Sequence, residues 1–482
     1  MLVALVLAAS PGLPSQARME AAMLEAVAGS CPRRKVALDP DLTRAAKAFA
    51  AATRDDIAPV EGSALAFYAS LESSEPASIA GVATVAPPSN ADRAVGDIFP
   101  KSCKFDRIGV AAATLGNGEA VVGALVATHA TELARIPGRV EAGAIVDVQG
   151  KLAPGLGNAR LFVTRPGGAV EELKLAADRD RFSARVILRA AGEHSIEILA
   201  EGAGGPIVVA VRRVFAGIDP PRAPPPLAVQ GPGLDGVEAA IRSLRASHGL
   251  PPLERDPALD AVAEGHSREM ARTQTFAHVL PGDGTLGDRL GKRGYAYRSA
   301  GENIGLSADA ASAHDAIVGS PAHLANLLDP RHRRLGLGET RGSSPDGNEA
   351  LYLTEVFAAP VVSSNDPAAD VEQVLQGERK RRGLRALARD RSLDELAANQ
   401  VRAAALTDAV QLPADLARKA LDQVPELESA VAELYVTSGA DDAARSKKAA
   451  EPRWTRLGVG AIYANSKAYG PGRLWIVLLY GR

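Results

Sequence analysis

The sequence predicts a mixed α/β chain in which a compact α/β module recurs beside an all-β sandwich. Residues 237–357 carry helical patterns followed by strand patterns, and residues 371–480 repeat that order. Residues 136–215 instead contain short strand patterns separated by turns. With 482 residues, of which 46% are hydrophobic, the chain is long enough for three or four packed domains.

Two helices are predicted at the start of the central region. Apolar residues recur at helical spacing within 237–244, and Gly249 with the prolines after it ends that helix. The second helix begins at Asp256 and Pro257, a capping residue followed by the residue best suited to the first helical position. His266 lies on the apolar stripe of this second helix, so we expect its side chain on the buried face.

Two further histidines are predicted near helix ends. His278 follows the second helix, where a loop begins and a side chain can reach a cleft. Ser320 and Pro321 are typical of a helix start, which places His323 in the first helical turn. The positive end of the helix dipole disfavours a charged imidazole there, and a neutral imidazole can bind a metal or accept a proton.

Strands are predicted to close the central region, one of them beginning at 335–338 and another covering 350–357. In the second strand the residues alternate, and one face carries Leu351, Leu353, Glu355 and Phe357. Glu355 is therefore an acid within an apolar layer, and it needs a polar partner.

Residues 234–360 resemble the bacterial branch of the CAP superfamily (cysteine-rich secretory proteins, antigen 5, pathogenesis-related 1). The matching motifs are, in chain order, Gly265-His266-Ser267-Arg268-Glu269-Met270, Phe276-Ala277-His278, Gly301-Glu302-Asn303-Ile304, Ser320-Pro321-Ala322-His323 with Asn326-Leu327-Leu328, Leu335-Gly336-Leu337-Gly338 and Glu355-Val356-Phe357. The resemblance implies an α-β-α sandwich of the CAP type. It also implies a solvent-open cleft lined by histidines and glutamates that can hold a divalent metal.

Carried over residue by residue, this resemblance implies a cleft formed by His278, Glu302 and His323, with Glu355 and His266 nearby. The same three cleft residues would ligate a divalent metal such as zinc. Structural alternatives remain open, since His266 can be a satisfied core histidine and Glu302 can bond backbone amides across a turn. His323 can also be only a polar residue of a first helical turn.

The remaining histidines of the central region are His248, His314 and His332, which we interpret as surface or helix-edge residues. The C-terminal region contains no histidine, and Leu478 stands where Glu355 stands in the central region. Residues 366–482 are therefore predicted to repeat the fold without the cleft groups.

The chain divides into a central domain with flanking units. The predicted divisions are a partial secretion signal at 1–17, a degenerate CAP-like domain at 18–131, an immunoglobulin-like β-sandwich at 132–217, a proline-rich linker at 218–233, a CAP domain with an intact cleft at 234–361, and a second degenerate CAP-like domain at 366–482. The sandwich strands are predicted at 144–152, 159–164, 170–175, 182–188, 195–199 and 206–214.

Charge and cysteine content limit the functional classes. The net charge of −2 argues against nucleic-acid binding, and the basic runs at 331–334 and 379–382 are short enough to be solvated faces. No run approaches the roughly 20 apolar residues that span a bilayer. Cys31 and Cys103 can form one disulfide in an export compartment or remain two buried thiols.

Three functions are compatible with these observations. The first is a secreted or cell-envelope protein whose cleft binds a divalent cation or a small apolar ligand, with a small molecule, lipid or envelope component as partner. The second is a metal-dependent hydrolase in which Glu302 or Glu355 activates water. The third is a purely structural extracellular protein. The first is favoured, because neither a His-Glu-x-x-His nor a Gly-x-Ser-x-Gly motif occurs.

Overall fold

A computed structural model describes residues 12–33, 35–60, 62–72, 80–97, 103–226, 228–229, 231–345, 347–361 and 364–482. Most of the predicted secretion signal therefore lies outside the described residues. Within these ranges, no helix is both long and apolar enough to cross a membrane.

The N-terminal region has helices beside one sheet. Its elements are α1 (Gln16–Ser30), β1 (Ala37–Leu38), α2 (Pro40–Arg54), α3 (Gly62–Glu72), β2 (Ala80–Ala86), α4 (Ala91–Asp97), β3 (Arg107–Thr114) and β4 (Ala120–Ala127). The sheet order is β1-β3-β4-β2. Cys31 and Cys103 form a disulfide.

The next region is all β. Its strands are β5 (Thr131–Leu133), β6 (Arg139–Val140), β7 (Ile145–Leu152), β8 (Gly157–Thr164), β9 (Val170–Leu173), β10 (Ala176–Asp178), β11 (Arg181–Ile187), β12 (Gly192–Gly202) and β13 (Gly205–Ala216). They form two sheets, ordered β10-β11-β7-β5 and β6-β13-β12-β8-β9. Apolar side chains from both sheets share one core, and this region is called the β-sandwich below.

The central region alternates helices and strands. Its elements are α5 (Gly233–Ser247), β14 (Glu254–Arg255), α6 (Pro257–Thr273), α7 (Leu286–Lys292), β15 (Tyr297–Ser307), α8 (Ala310–Val318), α9 (Pro321–Leu327), β16 (Arg334–Ser343) and β17 (Glu349–Pro360). The sheet order is β14-β16-β17-β15. Helices α5, α8 and α9 pack on the face that carries Leu353, and α6 and α7 pack on the face that carries Val356.

The C-terminal region has the same succession of elements at its start and end. Its elements are α10 (Pro367–Arg381), β18 (Ala388–Arg389), α11 (Arg391–Thr407), α12 (Leu416–Gln423), β19 (Ala430–Thr437), β20 (Arg456–Ser466) and β21 (Gly470–Gly481). The sheet order β18-β20-β21-β19 has the same pattern as in the N-terminal and central regions.

One glycine in each of these three sheets lies against a helix backbone. A Cβ atom on Gly336 of β16 would lie 2.2 Å from the carbonyl carbon of Leu259 in α6. A Cβ atom on Gly458 of β20 would lie 2.4 Å from the carbonyl carbon of Leu393 in α11. One on Gly109 of β3 would lie 2.4 Å from the carbonyl carbon of Leu42 in α2. A side chain at any of these positions would push the helix away from the sheet.

A buried arginine also recurs in the central and C-terminal regions. Nη1 of Arg245 donates to the carbonyl oxygen of Leu327 at 2.7 Å, and Nη1 of Arg379 donates to that of Ala449 at 2.7 Å. Both guanidinium groups are buried. Each also donates to two carbonyl oxygens in the segment before a strand, which is β16 for Arg245 and β20 for Arg379. The prediction that the basic run 379–382 is a solvated face is therefore wrong for Arg379.

Candidate functional site

The edge strand β15 places Glu302 and Asn303 on opposite faces of the central sheet. In the antiparallel register Glu302 lies opposite Val356, and Asn303 lies opposite Glu355. Because directly opposed residues share a face, Glu302 points toward α6 and α7, whereas Asn303 and Glu355 point toward α8 and α9. Glu302 lies within a strand rather than a turn, so the alternative of a turn-forming role is wrong.

The carboxylate of Glu302 has a partner on each oxygen. Its Oε1 lies 2.9 Å from Nδ1 of His278, and its Oε2 accepts a hydrogen bond from Nη2 of Arg289. Burial opposes ionisation of this acid, but the bond from His278 and the charges of His266 and Arg289 outweigh it and lower the pKa of Glu302. The group is therefore a carboxylate held between the guanidinium group of Arg289 and the rings of His266 and His278.

His266 lies behind this carboxylate, fully buried on the inner face of α6. Its Nδ1 lies 2.6 Å from Oδ2 of Asp283, and its Nε2 lies 3.8 Å from Oε1 of Glu302. Arg289 joins the same network, since its Nη1 lies 3.3 Å from Oδ2 of Asp283. His266 therefore supports the position of Glu302 from the core side.

His323 approaches the edge of the sheet from α9. Ser320 is the N-cap of this helix and Pro321 its first residue, as predicted. The ring of His323 lies 6.2 Å from that of His278 between centroids, at an angle of 39°. Burial and then the nearby His278 lower the pKa of His323 to about 3, so its imidazole is neutral. Among the described residues, its ring nitrogens have no hydrogen-bond partner.

Glu355 does not lie in this group, which corrects the prediction that it belongs to the cleft. Its Oε1 lies 2.6 Å from Nδ1 of His314, and its Oε2 accepts from Nδ2 of Asn303 at 3.1 Å. Burial alone would lower the pKa of His314, but the bond to Glu355 raises it. The pair is a buried contact that joins α8 to β17.

The interpretation of His314 and His332 as surface or helix-edge residues is wrong. His314 is buried, and His332 is buried with its ring stacked on Phe357 at 5.6 Å between centroids. Ala310, Ala313, His314 and Ile317 have the spacing of the inner face of a helix. This spacing was the sequence signal from which the burial of His314 could have been predicted. His314 is the polar partner that the buried acid Glu355 was expected to need.

Arg289 is a site residue that sequence reasoning missed. It stands three residues after Leu286 and directly before the buried Leu290 in α7, so it lies near the inner side of that helix. Thr285 and Asp288 form a capping box at the start of α7 and fix the direction of the helix. The arginine thereby reaches Glu302 from a different element than either histidine.

The predicted three-ligand metal site does not fit this arrangement. Both oxygens of Glu302 are engaged, and across the described ranges no group of three or more His, Cys, Asp or Glu side chains is placed to hold a metal ion. An ionised carboxylate only accepts hydrogen bonds, so Nδ1 of His278 is the donor in this contact and Nε2 is the ring nitrogen left for a ligand. The groups able to bind a cation are therefore the two imidazoles, with Glu302 orienting one of them.

The region that holds these residues also matches a known sequence family. Residues 239–357 match the model of the cysteine-rich secretory protein family, abbreviated CAP. Residues 239–357 are a CAP domain. His266, His278, Glu302 and His323 all lie inside this domain, whereas the β-sandwich and the terminal regions lie outside the match.

Relatives of this CAP-domain chain are bacterial. The uncharacterized membrane protein YlbC of Bacillus subtilis (strain 168) is 36% identical over 99 residues, which are 20% of this chain and 29% of YlbC. The uncharacterized protein YkwD of the same strain is 31% identical over 101 residues, which are 21% of this chain and 39% of YkwD. The chain thus covers only 29–39% of the length of these relatives.

Solved structures give more distant likenesses. An extracellular protein with an SCP domain from Bacillus anthracis str. Ames has 22% identity and a TM-score of 0.22, over 36% of this chain and 65% of that one. The cysteine-rich secretory protein SAV1118 from Staphylococcus aureus subsp. aureus Mu50 has 12% identity and a TM-score of 0.21, over 48% of this chain and 89% of that one.

Proposed function

We propose that the protein is an extracellular or cell-envelope binding protein whose CAP domain holds a divalent cation, such as zinc, between His278 and His323. The observation that carries this proposal is the pairing of two imidazoles whose ring centroids lie 6.2 Å apart. The neutral state of His323 favours the proposal, because only neutral imidazole binds a metal. With two protein ligands the binding is weak, and the ion keeps open positions for a small molecule, lipid or envelope component.

Binding is favoured over hydrolysis by the state of the two candidate acids. Glu302 is held by His278 and Arg289, and Glu355 is held by His314 on the other face of the sheet. A base that activates water needs a free oxygen directed at the cleft. Neither carboxylate meets this requirement in the observed arrangement.

We further propose that the N-terminal and C-terminal regions are copies of the CAP fold that serve as scaffold or adhesion surfaces. The shared sheet order, the three glycines packed on helix backbones, and the paired Arg245 and Arg379 support this proposal. In the C-terminal copy the position of Glu355 is Leu478, which is fully buried. The β-sandwich at 132–217 is proposed to have an immunoglobulin-like fold.

Calorimetric titration of the full chain with zinc chloride tests the binding proposal. We expect weak binding to the wild-type chain, and a loss of at least about tenfold in affinity for His278→Ala and for His323→Ala, since each removes one of two ligands. His129→Ala, which changes a histidine of the N-terminal region, is the matched control and should bind like wild type. Equal heats from all four proteins would overturn the proposal.

A further inference from the structure

The turn between β12 and β13 of the β-sandwich lies directly against His278. The backbone N–H of Val279 donates to the carbonyl oxygen of Gly204 at 2.9 Å. A Cβ atom on Gly205 would lie 3.2 Å from Cβ of His278, and one on Gly204 would lie 2.9 Å from Cβ of Ala277. The turn at 202–205 is therefore hydrogen-bonded to the backbone of Val279 and lies beside the side chain of His278.

A second contact joins β12 to the helix that carries His323. Glu197 is fully buried, and its Oε2 accepts a hydrogen bond from Oγ of Ser320 at 2.6 Å. Its Oε1 accepts from the backbone N–H of Ala322 at 2.9 Å. Ser320 and Ala322 directly precede His323 at the start of α9, where an acid also interacts favourably with the helix dipole.

The two contacts place one strand beside both cleft histidines. Glu197 lies in the middle of β12, and the turn at 202–205 follows the end of the same strand. Because β12 is hydrogen-bonded to β8 and β13 on either side, its position is fixed by the whole sheet. A movement of the β-sandwich would therefore change the surroundings of His278 and His323 together.

We propose that the β-sandwich forms one wall of the CAP cleft, with the turn at 202–205 covering His278 and Glu197 acting as the positioning residue for His323. The cleft is then a composite of two regions of the chain, and the β-sandwich limits the access of a ligand to the two half-buried histidines. This inference goes beyond cation binding, since it concerns access to the two rings whatever they bind. The raised pKa of Glu197, about 7 because of burial, agrees with a carboxylate removed from water in this contact.

Carbethoxylation of histidines by diethyl pyrocarbonate tests the proposal on the full chain at about neutral pH, with peptide-resolved mass spectrometry as the readout. The reagent attacks neutral imidazole, and His323 is neutral at this pH, so its rate reports access. The modification of His278 and His323 is divided by that of His129, which lies in the N-terminal region. Metal plays no part, so the result is independent of the zinc titration.

Two variants open the wall from different sides. Glu197→Ala removes both bonds to α9, and Gly204→Leu introduces a side chain where Ala277 leaves no room. In each we expect the ratio to rise at least about fivefold, because Glu197→Ala removes buried hydrogen-bond partners and Gly204→Leu overlaps Ala277, and either loss is large enough for such a shift.

Two further variants are the controls. Glu197→Gln keeps an oxygen that accepts from Ala322 and should stay within about twofold of wild type. Gly157→Ala adds a methyl group in β8 where no atom lies within 4 Å, and should match wild type. An unchanged ratio in both Glu197→Ala and Gly204→Leu would overturn the proposal, as would an equal rise in Gly157→Ala.

Discussion

Nδ1 of His278 lies 2.9 Å from Oε1 of Glu302, and this contact decides which nitrogen of the imidazole is available to a ligand. The ionised carboxylate can only accept, so Nδ1 donates the hydrogen bond and Nε2 is the nitrogen left for a ligand. Arg289 holds the other oxygen and keeps the carboxylate in place. Glu302 thus acts on the cleft through His278 and not as a ligand.

Replacing Glu302 by glutamine should weaken zinc binding without abolishing it. Loss of a carboxylate that orients a metal-binding histidine lowers affinity by about 10–100-fold. Zinc calorimetry on Glu302→Gln, with His278→Ala alongside, measures the effect. Wild-type affinity in Glu302→Gln, with His278→Ala still impaired, would contradict the assignment of Glu302 as the residue that orients His278.

The buried pair of His314 and Glu355 should couple strongly in stability. Replacing Glu355 alone by leucine leaves the imidazole of His314 without its partner, and breaking such a pair costs about 3–5 kcal/mol. The double variant with His314→Leu should cost less than the sum of the single changes, because no buried polar group is left without its partner. Amide hydrogen exchange of β17 measures all three. Additive effects would show that the pair contributes no interaction of its own.

Glu197 and His323 should give opposite pH dependences to the stability of the folded chain. The folded pKa of Glu197 is about 7 against 4.5 unfolded, so its contribution is present below pH 4.5 and is lost as pH rises through 7. The folded pKa of His323 is about 3 against 6.5 unfolded, so its contribution is present above pH 6.5 and is lost as pH falls toward 3. Each effect is on the order of a few kcal/mol at most.

Thermal melting of the full chain across pH 3–8 separates the two groups. Glu197→Gln should flatten the fall in melting temperature between about pH 4.5 and 7, because glutamine does not titrate. His323→Gln should flatten the fall below about pH 6.5 for the same reason. Profiles of both variants that run parallel to wild type would contradict the burial described for these groups.

Gly458 should tolerate no side chain, whereas Gly377 should. A Cβ atom on Gly458 would lie 2.4 Å from the carbonyl carbon of Leu393, so Gly458→Ala should cost about 1–3 kcal/mol or more through overpacking. Gly377 lies within α10 with no atom within 4 Å of a Cβ, so Gly377→Ala should stabilise by about 0.5–1 kcal/mol. Urea unfolding followed by the fluorescence of Trp454 and Trp475 reports on this region. Equal effects of both changes would contradict the proposed packing of α11 on β20.

Much of the fold could be predicted because its signals are local. Ser320 and Pro321 fixed the start of α9, and alternation placed Leu353 and Glu355 on one face of β17. The short strands of the β-sandwich followed from their turns. The buried role of Arg379 could not be predicted, because a basic run on a helix has the same sequence whether it meets solvent or carbonyl oxygens of a distant loop.

The candidate site was only partly predictable, because its contacts join distant segments. The approach of His278 to Glu302 followed from motif order, since both belong to one recognisable pattern. Glu355 pairs with Asn303 rather than with Glu302, so it lies on the other face of the sheet from Glu302. This pairing is set by the register between β15 and β17, which the sequence does not show. The hydrogen bond between Glu197 and Ser320 joins two regions of the chain. The sequence around either residue does not indicate that the other is its partner.

Anomalous diffraction at the zinc edge, from crystals of the full chain grown with zinc, tests the central claim most directly. The binding proposal predicts an anomalous peak about 2.0–2.1 Å from Nε2 of His278 and at a similar distance from a ring nitrogen of His323, with Glu302 still bonded to Nδ1 of His278. A zinc-containing crystal without a peak at these rings, or with a peak bound to a carboxylate oxygen of Glu302, would contradict it.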